Sequence, residues 1–198
     1  MKLFDFFKRN KNSELIKADT TTPSAEQAAF AKTALEIIAP TVEKYGYIHH
    51  KTEIKTYSAN IVWRKDKQYI KVNGSNYPTD YPFNYNIILG EGSSDEFLEY
   101  DWNSVALWTL SKIIEPTANI SSYDFPFGDK IKFSLDAANK DLLKFGQTFL
   151  SGDLTTFYEA RKMINEKREP YKIHKPNAEG KFETTDEPTS VEQKKKYS

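Results

Sequence analysis

Apolar residues near the start of the folded region recur at steps of three or four positions. This spacing predicts an amphipathic helix, and it holds for Phe30, Ala34, Ile38, Val42 and Tyr45. Ser24 and Gln27 precede these residues with the spacing of a capping box, which predicts where the helix starts. Pro40 lies inside the pattern, and we expect it to bend or break the helix near Ala39 because proline lacks a backbone donor.

From Tyr47 onward the apolar period changes to two, which is typical of β-strands. The segments ANIVWR and QYIKV both alternate, and the charged residues 65–67 between them predict a hairpin turn. The segment TEIKTY before them is predicted to be a partner strand. In this hairpin Trp63 shares a face with Ile61, which indicates a position in the core.

A loop is predicted over residues 73–82, because Asn73-Gly74 favours a turn and Pro78 and Pro82 cannot donate to a ladder. The strand after it has the clearest alternation in the chain, with an apolar face formed by Phe83, Tyr85, Ile87 and Leu89. We expect that face to be buried against helices. Tyr77 and Tyr81 precede the strand, and they are predicted either to be exposed or to fold over the sheet edge.

Three helices are predicted in the second half of the chain. The first follows Asp101 as its cap, the second covers residues 136–150, and the third begins at Asp153 and ends before Pro170. The short connection around Gly152 predicts that the last two form an antiparallel helical hairpin. The segment KIKFSL is predicted to be either a short strand or the beginning of a helix.

The order of these elements predicts an α+β fold of one domain over residues 23–170. A helix is followed by three or four strands and then by three helices, so we expect an antiparallel sheet of three to five strands with helices packed on one face. Residues 1–22 are predicted to form a short helix and a linker. Residues 171–198 are rich in charge and poor in apolar residues, which predicts poor order.

Composition removes several function classes. The 198 residues contain 28 Lys and Arg against 28 Asp and Glu, so no net charge attracts nucleic acid or an acidic membrane. The absence of cysteine excludes disulfides and thiolate chemistry. The N-terminus is too charged for a secretory signal, and an intracellular, cytoplasmic protein is expected. Residues 3–7 are predicted either to anchor at a membrane surface or to pack on the domain itself.

No motif in the sequence indicates catalysis, a cofactor or a metal. His49 and His50 are adjacent on a strand, so their side chains point to opposite faces and cannot chelate one ion together. Gly90 and Gly92 begin a dinucleotide-binding pattern, but its third glycine is replaced by Asp95. We therefore assign no catalytic, cofactor-binding or metal-binding residue. An enzyme or small-ligand binder with a pocket between the sheet and the helices stays an alternative.

Charge is distributed unevenly along the chain. Residues 51–72 hold six basic residues against two acids, whereas residues 73–104 hold six acids and no lysine or arginine. Acids beside tyrosines suit the capture of a basic protein partner, and the predicted binding residues are Tyr77, Tyr81, Glu91, Asp95, Glu96, Glu99 and Asp101. The same acids also suit the first turn of a following helix. Nucleic-acid binding by the basic hairpin 51–72, with Tyr57, Trp63 and Tyr69, is a second alternative.

Several segments resemble small uncharacterised bacterial proteins of α+β type. They are YGYIHHKTEIKTYSANIVWRKDKQYIKV, NIILG, EYDW and, after the helical hairpin, REPYKIH, so the resemblance spans about Phe30 to His174. Some of those proteins are encoded beside secreted toxins and act as immunity proteins. The resemblance implies a cytoplasmic, non-catalytic protein that neutralises a cognate toxin by binding it, and it provides no catalytic residues.

Overall fold

A computed structural model describes residues 21–93, 102–117 and 123–197. Its helices are α1 (Ala25–Glu43), α2 (Leu107–Ile114), α3 (Lys130–Phe145), α4 (Gln147–Ser151), α5 (Thr155–Lys167) and α6 (Pro188–Tyr197). Its strands are β1 (Ile48–Ile54), β2 (Ser58–Lys65), β3 (Gln68–Ser75), β4 (Asn84–Glu91), β5 (Ser104–Ala106), β6 (Tyr123–Asp124), β7 (Lys172–Pro176) and β8 (Phe182–Asp186).

The main sheet is antiparallel and confirms the predicted α+β class. Its strands lie in the order β1-β2-β3-β4-β5, and β6 pairs with the beginning of β4. The predicted hairpin is formed by β2 and β3, in which Trp63 lies opposite Ile70 and Ile61 opposite Val72. Because successive strands pair directly, apolar residues at alternate positions come together on one face of the sheet.

That apolar face forms the core with helices α1 to α5. Trp63 and Leu89 from the sheet are fully buried in one cluster with Phe30 of α1 and Leu135 of α3. The alternation predicted for residues 83–89 is confirmed, since Tyr85, Ile87 and Leu89 are buried and Phe83 is half-buried. The helical spacing of α1 is confirmed for Phe30, Ala34, Ile38 and Val42, which are buried, whereas Tyr45 lies just beyond the end of the helix.

The opposite face of the sheet is more polar. Asn60, Asn73 and Asn86 lie opposite one another on three neighbouring strands, and the Asn73 amide donates to Asn60 Oδ1 at 2.6 Å. Burial lowers the pKa of Lys71 on this face, and the nearby Glu53 carboxylate opposes that shift. On the same face, the buried ring of Tyr69 lies against Gly90 of the next strand.

Three local predictions differ from the structure. Asn73-Gly74 is not a turn, because β3 continues to Ser75 and pairs on both sides with β2 and β4. Helix α1 continues through Pro40 to Glu43. Packing of Ile38 and Val42 on either side of Pro40 outweighs the single hydrogen bond that proline cannot make. The helix predicted from residue 136 starts earlier, at Lys130, because the segment KIKFSL forms the beginning of α3, which is one of the two alternatives predicted for it; Ile131 and Leu135 lie on its buried side.

The described residues of the C-terminal segment, for which poor order is predicted, have regular secondary structure. It contains a hairpin of β7 and β8 followed by α6. The Ser190 hydroxyl is buried, accepts from the Tyr171 N–H at 3.0 Å and donates to the Glu187 carbonyl at 2.8 Å. These polar contacts connect the start of α6 to Tyr171, before β7, in a segment that has few apolar residues.

Two further predictions concern helix ends and membranes. The cap predicted at Asp101 lies outside the described residues, as do most residues of the predicted N-terminal helix and linker. Asp153 accepts from the Thr155 N–H at 3.0 Å, as expected at the start of α5. Within the described ranges no helix is both long enough and apolar enough to cross a membrane.

Candidate functional site

The structure places the predicted binding residues in different surroundings. Four of them lie outside the described residues: Asp95, Glu96, Glu99 and Asp101. Glu91 ends β4, where its carboxylate accepts from the Tyr158 hydroxyl at 3.0 Å and lies 3.8 Å from the Arg161 guanidinium. Glu91 is therefore engaged by helix α5 of its own chain. Tyr77 and Tyr81 lie far from it, at the other end of β4.

Tyr77 and Tyr81 are exposed in the loop between β3 and β4. The side chain of Tyr77 is 42% exposed and that of Tyr81 is 80% exposed. The Tyr77 ring packs edge-on against Tyr57, with ring centroids 5.2 Å apart, and the Tyr81 ring packs edge-on against Phe83 at 5.5 Å. Both tyrosines thus lie on the surface but are held by a second ring.

The contact of Tyr81 with Phe83 continues into a larger aromatic surface. Phe83 lies 6.4 Å from Phe127, which is itself 45% exposed. Phe127 packs against the buried Phe125 at 5.2 Å, and Phe125 packs against Phe30 of α1 at 4.9 Å. We call Tyr77, Tyr81, Phe83 and Phe127 the aromatic surface. Sequence reasoning found its tyrosines but missed Phe127, although the segment SSYDFPFGD is visibly rich in aromatic residues.

Backbone contacts hold the segments of the aromatic surface together. Strand β6 pairs with the beginning of β4, and the Phe125 N–H donates to the Phe83 carbonyl at 2.9 Å. The Gln27 side chain of α1 is buried and donates to Asn76 Oδ1 at 2.8 Å, which attaches the tyrosine loop to the helix. The exposed rings are consequently carried on a framework that the core fixes.

Three acidic side chains accompany the aromatic surface. Asp80 precedes Tyr81, Asp124 lies on β6, and Asp129 follows Phe127 by two positions; all three are exposed. In the described part of the chain none of them forms an ion pair, whereas the neighbouring Lys132 is paired with Asp136 at 2.7 Å. The surface therefore combines exposed rings with negative charge, but its acids are not those that were predicted from the sequence.

A cleft of about 340 Å³ opens beside Tyr77. Its walls come from β2, β3, the residues just before β2 and the tyrosine loop, and they consist of Lys55, Tyr57, Ser58, Ser75, Tyr77 and Asp80. The Asn76 N–H donates to the Tyr57 carbonyl at 3.0 Å and so connects the two sides of the cleft. We call this feature the tyrosine cleft.

Two tyrosines beneath the aromatic surface have raised pKa values. Burial raises the pKa of Tyr85 to about 12, although the hydrogen bond of its hydroxyl with Ser134 opposes the shift. Burial and the adjacent Asp141 carboxylate raise the pKa of Tyr123, whose hydroxyl donates to Asp141 at 3.0 Å. The two rings stack with centroids 4.9 Å apart. Both groups stay neutral at ordinary pH and support the surface by packing.

The two alternative functions concern the basic hairpin 51–72 and the space between the sheet and the helices. In the basic hairpin, Trp63 and Tyr69 are buried, and the Nζ atoms of Lys51 and Lys55 lie 3.9 Å and 3.1 Å from the Glu53 carboxylate. Core side chains from the sheet and from the helices lie in one buried cluster between them. Within the described residues, no three His, Asp or Glu side chains lie close enough together to hold a metal ion.

Comparisons of the chain with protein-family models, with curated proteins and with solved structures found no match.

Proposed function

We propose that this protein is a non-catalytic protein-binding domain that captures a basic partner through the aromatic surface. The observation that carries the proposal is the run of ring contacts from the exposed Tyr81 through the half-buried Phe83 to the exposed Phe127, together with nearby acids that form no ion pair within the described residues. Large aromatic side chains supply most of the affinity in many protein interfaces. Exposed carboxylates around them favour the approach of a positively charged partner.

The anchoring of the surface supports this proposal. A ring that is already fixed before binding loses less side-chain freedom when the partner arrives. Phe83 and Phe127 are fixed in this way, through Phe125 and Phe30, by a chain of ring contacts that ends in the core. Exposed side chains with no such support would lose more conformational entropy on binding.

The partner class that we propose is a bacterial toxin, and the protein would then act in the cytoplasm as its immunity protein. This part of the proposal depends on the resemblance of the sequence to small α+β proteins encoded beside toxins. An acidic surface suits such a role, because toxins that act on nucleic acids carry basic surfaces for their substrate. Binding alone would neutralise the toxin, so the proposal requires no catalytic group.

The proposal is tested by identifying the partner and measuring its affinity. Tagged protein is used to capture proteins from a lysate of its source organism, and the partner identified by mass spectrometry is purified and titrated by calorimetry. We expect the double variant Tyr81→Ala, Phe127→Ala to bind about 30-fold more weakly, as expected for the loss of interface anchors. Phe182→Ala is the matched control, since Phe182 is 74% exposed but lies on the separate hairpin of β7 and β8.

A second measurement tests the role of charge. The triple variant Asp80→Asn, Asp124→Asn, Asp129→Asn should bind more slowly, and its affinity should depend less on salt between about 50 and 300 mM. Full affinity of the aromatic double variant for the purified partner would refute the proposal. A partner that is itself acidic would also refute it.

A further inference from the structure

We infer that the tyrosine cleft takes an arginine side chain from the partner. The inference rests on the proposed function, because it assigns the part of a basic partner that the surface recognises. It depends on three properties of the cleft, which are its aromatic walls, its unpaired carboxylate and its size.

The aromatic walls are Tyr57 and Tyr77. Their rings meet at 80° with centroids 5.2 Å apart, so the cleft presents two ring surfaces that stand nearly perpendicular to each other. The face of a tyrosine ring attracts a cation, and a guanidinium can lie flat on such a face. The corner between the rings thus offers one surface for stacking and a second for the aliphatic part of the side chain.

The charge in the cleft favours a cation. The Asp80 carboxylate lines the cleft, accepts from the Thr79 hydroxyl at 3.1 Å and has no ion-pair partner among the residues that the structure describes. Lys55 also lines the cleft, and its ammonium lies 3.1 Å from the Glu53 carboxylate, so this cation already has an ion-pair partner. A carboxylate beside two rings therefore remains available to a guanidinium.

The size and polarity of the cleft select one side chain. Its volume of about 340 Å³ is at the lower end of the range of ligand pockets, which suits a single long side chain better than a drug-sized molecule. Ser58 and Ser75 add hydroxyl groups that can accept from a guanidinium. Arginine is favoured over lysine because its planar head combines ring stacking with two parallel hydrogen bonds to one carboxylate.

The cleft is formed before any ligand binds. The Asp80 N–H donates to the Tyr77 carbonyl at 2.8 Å and closes a turn that holds both residues on the same wall. The buried Gln27 fixes the preceding Asn76 from the side of α1. Binding of a side chain consequently requires no ordering of the loop, which preserves affinity.

The test uses N-acetyl-arginine methylamide as the probe and nuclear magnetic resonance as the readout. Titration should shift the ring resonances of Tyr57 and Tyr77 with a dissociation constant in the range of about 1 to 20 mM, as expected for one side chain. The citrulline analogue has nearly the same shape without the charge, and we expect it to bind at least about tenfold more weakly. The lysine analogue is included to separate arginine from cations in general.

Variants locate the binding within the protein. Asp80→Asn should weaken arginine binding about tenfold, whereas Glu159→Gln, which removes an exposed acid of α5 outside both the cleft and the aromatic surface, should leave it unchanged. In the variant Tyr77→Leu, the arginine probe should no longer shift the ring resonances of Tyr57. Equal shifts with citrulline, tighter binding of lysine, or no shift with about 50 mM arginine probe would each overturn the inference.

The outcome is distinguishable from that of the proposed function. If the arginine probe fails but the partner loses affinity for the Tyr81→Ala, Phe127→Ala variant, the cleft assignment is wrong and the protein-binding proposal stands. If the probe binds as expected but the purified partner is insensitive to that variant, the cleft recognises arginine and the aromatic surface is not the interface.

Discussion

Gly90 lies directly opposite Tyr69 in the register of β3 and β4, and its replacement by alanine is a sharp test of the sheet packing. A Cβ atom at Gly90 would lie 2.0 Å from Tyr69 Cζ and 2.3 Å from its hydroxyl oxygen. Carbon atoms in favourable contact lie about 3.5 to 4.0 Å apart, so the ring must move by more than an ångström. Since Gly90 has no left-handed φ, this steric conflict is the main effect of the substitution.

The surroundings of Tyr69 make that movement costly. The ring is only 2% exposed, and the Arg64 guanidinium lies 5.8 Å from its centroid while donating to the Gly92 carbonyl at 2.7 Å. Overpacking of a buried site typically costs about 1 to 3 kcal/mol. Replacing glycine by alanine in a regular strand returns about 0.5 to 1 kcal/mol. We expect the net effect of Gly90→Ala to be a free energy of unfolding lower by about 1 kcal/mol.

Urea denaturation of a double-mutant cycle measures this conflict. Tyr69→Leu removes the atoms that a Cβ would meet, so in that background we expect Gly90→Ala to raise the free energy of unfolding by about 0.5 to 1 kcal/mol. The expected coupling between the two sites is therefore about 1.5 to 2 kcal/mol. Additive effects of the two substitutions, or a stable Gly90→Ala variant in the wild-type background, would show that Tyr69 does not pack over Gly90.

Two further predictions concern a buried hydroxyl and a helix cap. Folding raises the pKa of the Tyr85 hydroxyl from 10.0 to about 12. As the pH rises, this tyrosine therefore ionises first in the unfolded state. Its contribution to the free energy of unfolding is complete below pH 10 and is lost as the pH rises to 12. Urea unfolding at pH 9 and pH 11 should show that wild type loses about 1.4 kcal/mol more over this interval than Tyr85→Phe; equal losses would contradict the assignment. Ser24 Oγ accepts from the Gln27 N–H at 3.2 Å at the start of α1. Thermal unfolding should show a cost of about 1 kcal/mol for Ser24→Ala and only a few tenths for Ser24→Gly, and equal costs would contradict a capping role.

The elements with strong periodicity were predicted well because their periods reflect backbone geometry. The spacing of Phe30, Ala34 and Ile38 places them on one side of any α-helix, and the alternation of Tyr85 and Ile87 places them on one face of any strand. The turn at Asn73-Gly74 was predicted wrongly because that prediction used only the local preference of two residues. A local preference for a turn was outweighed by pairing of β3 with strands on both sides, which no window of sequence contains.

The candidate site was predicted only in part. Tyr77 and Tyr81 were recognised because prolines mark their loop and loops lie at the surface. Phe127 and Asp124 were not assigned to it, since they join the tyrosines only through the pairing of β6 with β4. Glu91 was grouped with the tyrosines by its distance along the chain, whereas the fold places it against Tyr158 and Arg161 of α5.

From the sequence alone followed the α+β class, the hairpin of β2 and β3, and the buried sides of α1 and β4. The buried sides follow from the spacing of apolar residues within one helix or strand, for which the backbone period is sufficient, and the class follows from the order of the elements along the chain. The packed fold was needed to show which loops meet, such as Tyr57 with Tyr77 or Phe83 with Phe127. It was also needed to show which carboxylates are hydrogen-bonded by side chains of the same chain, as Glu91 is by Tyr158. The physical reason is that such contacts depend on strand order and on where each connection crosses the sheet, and these are properties of the packed chain as a whole.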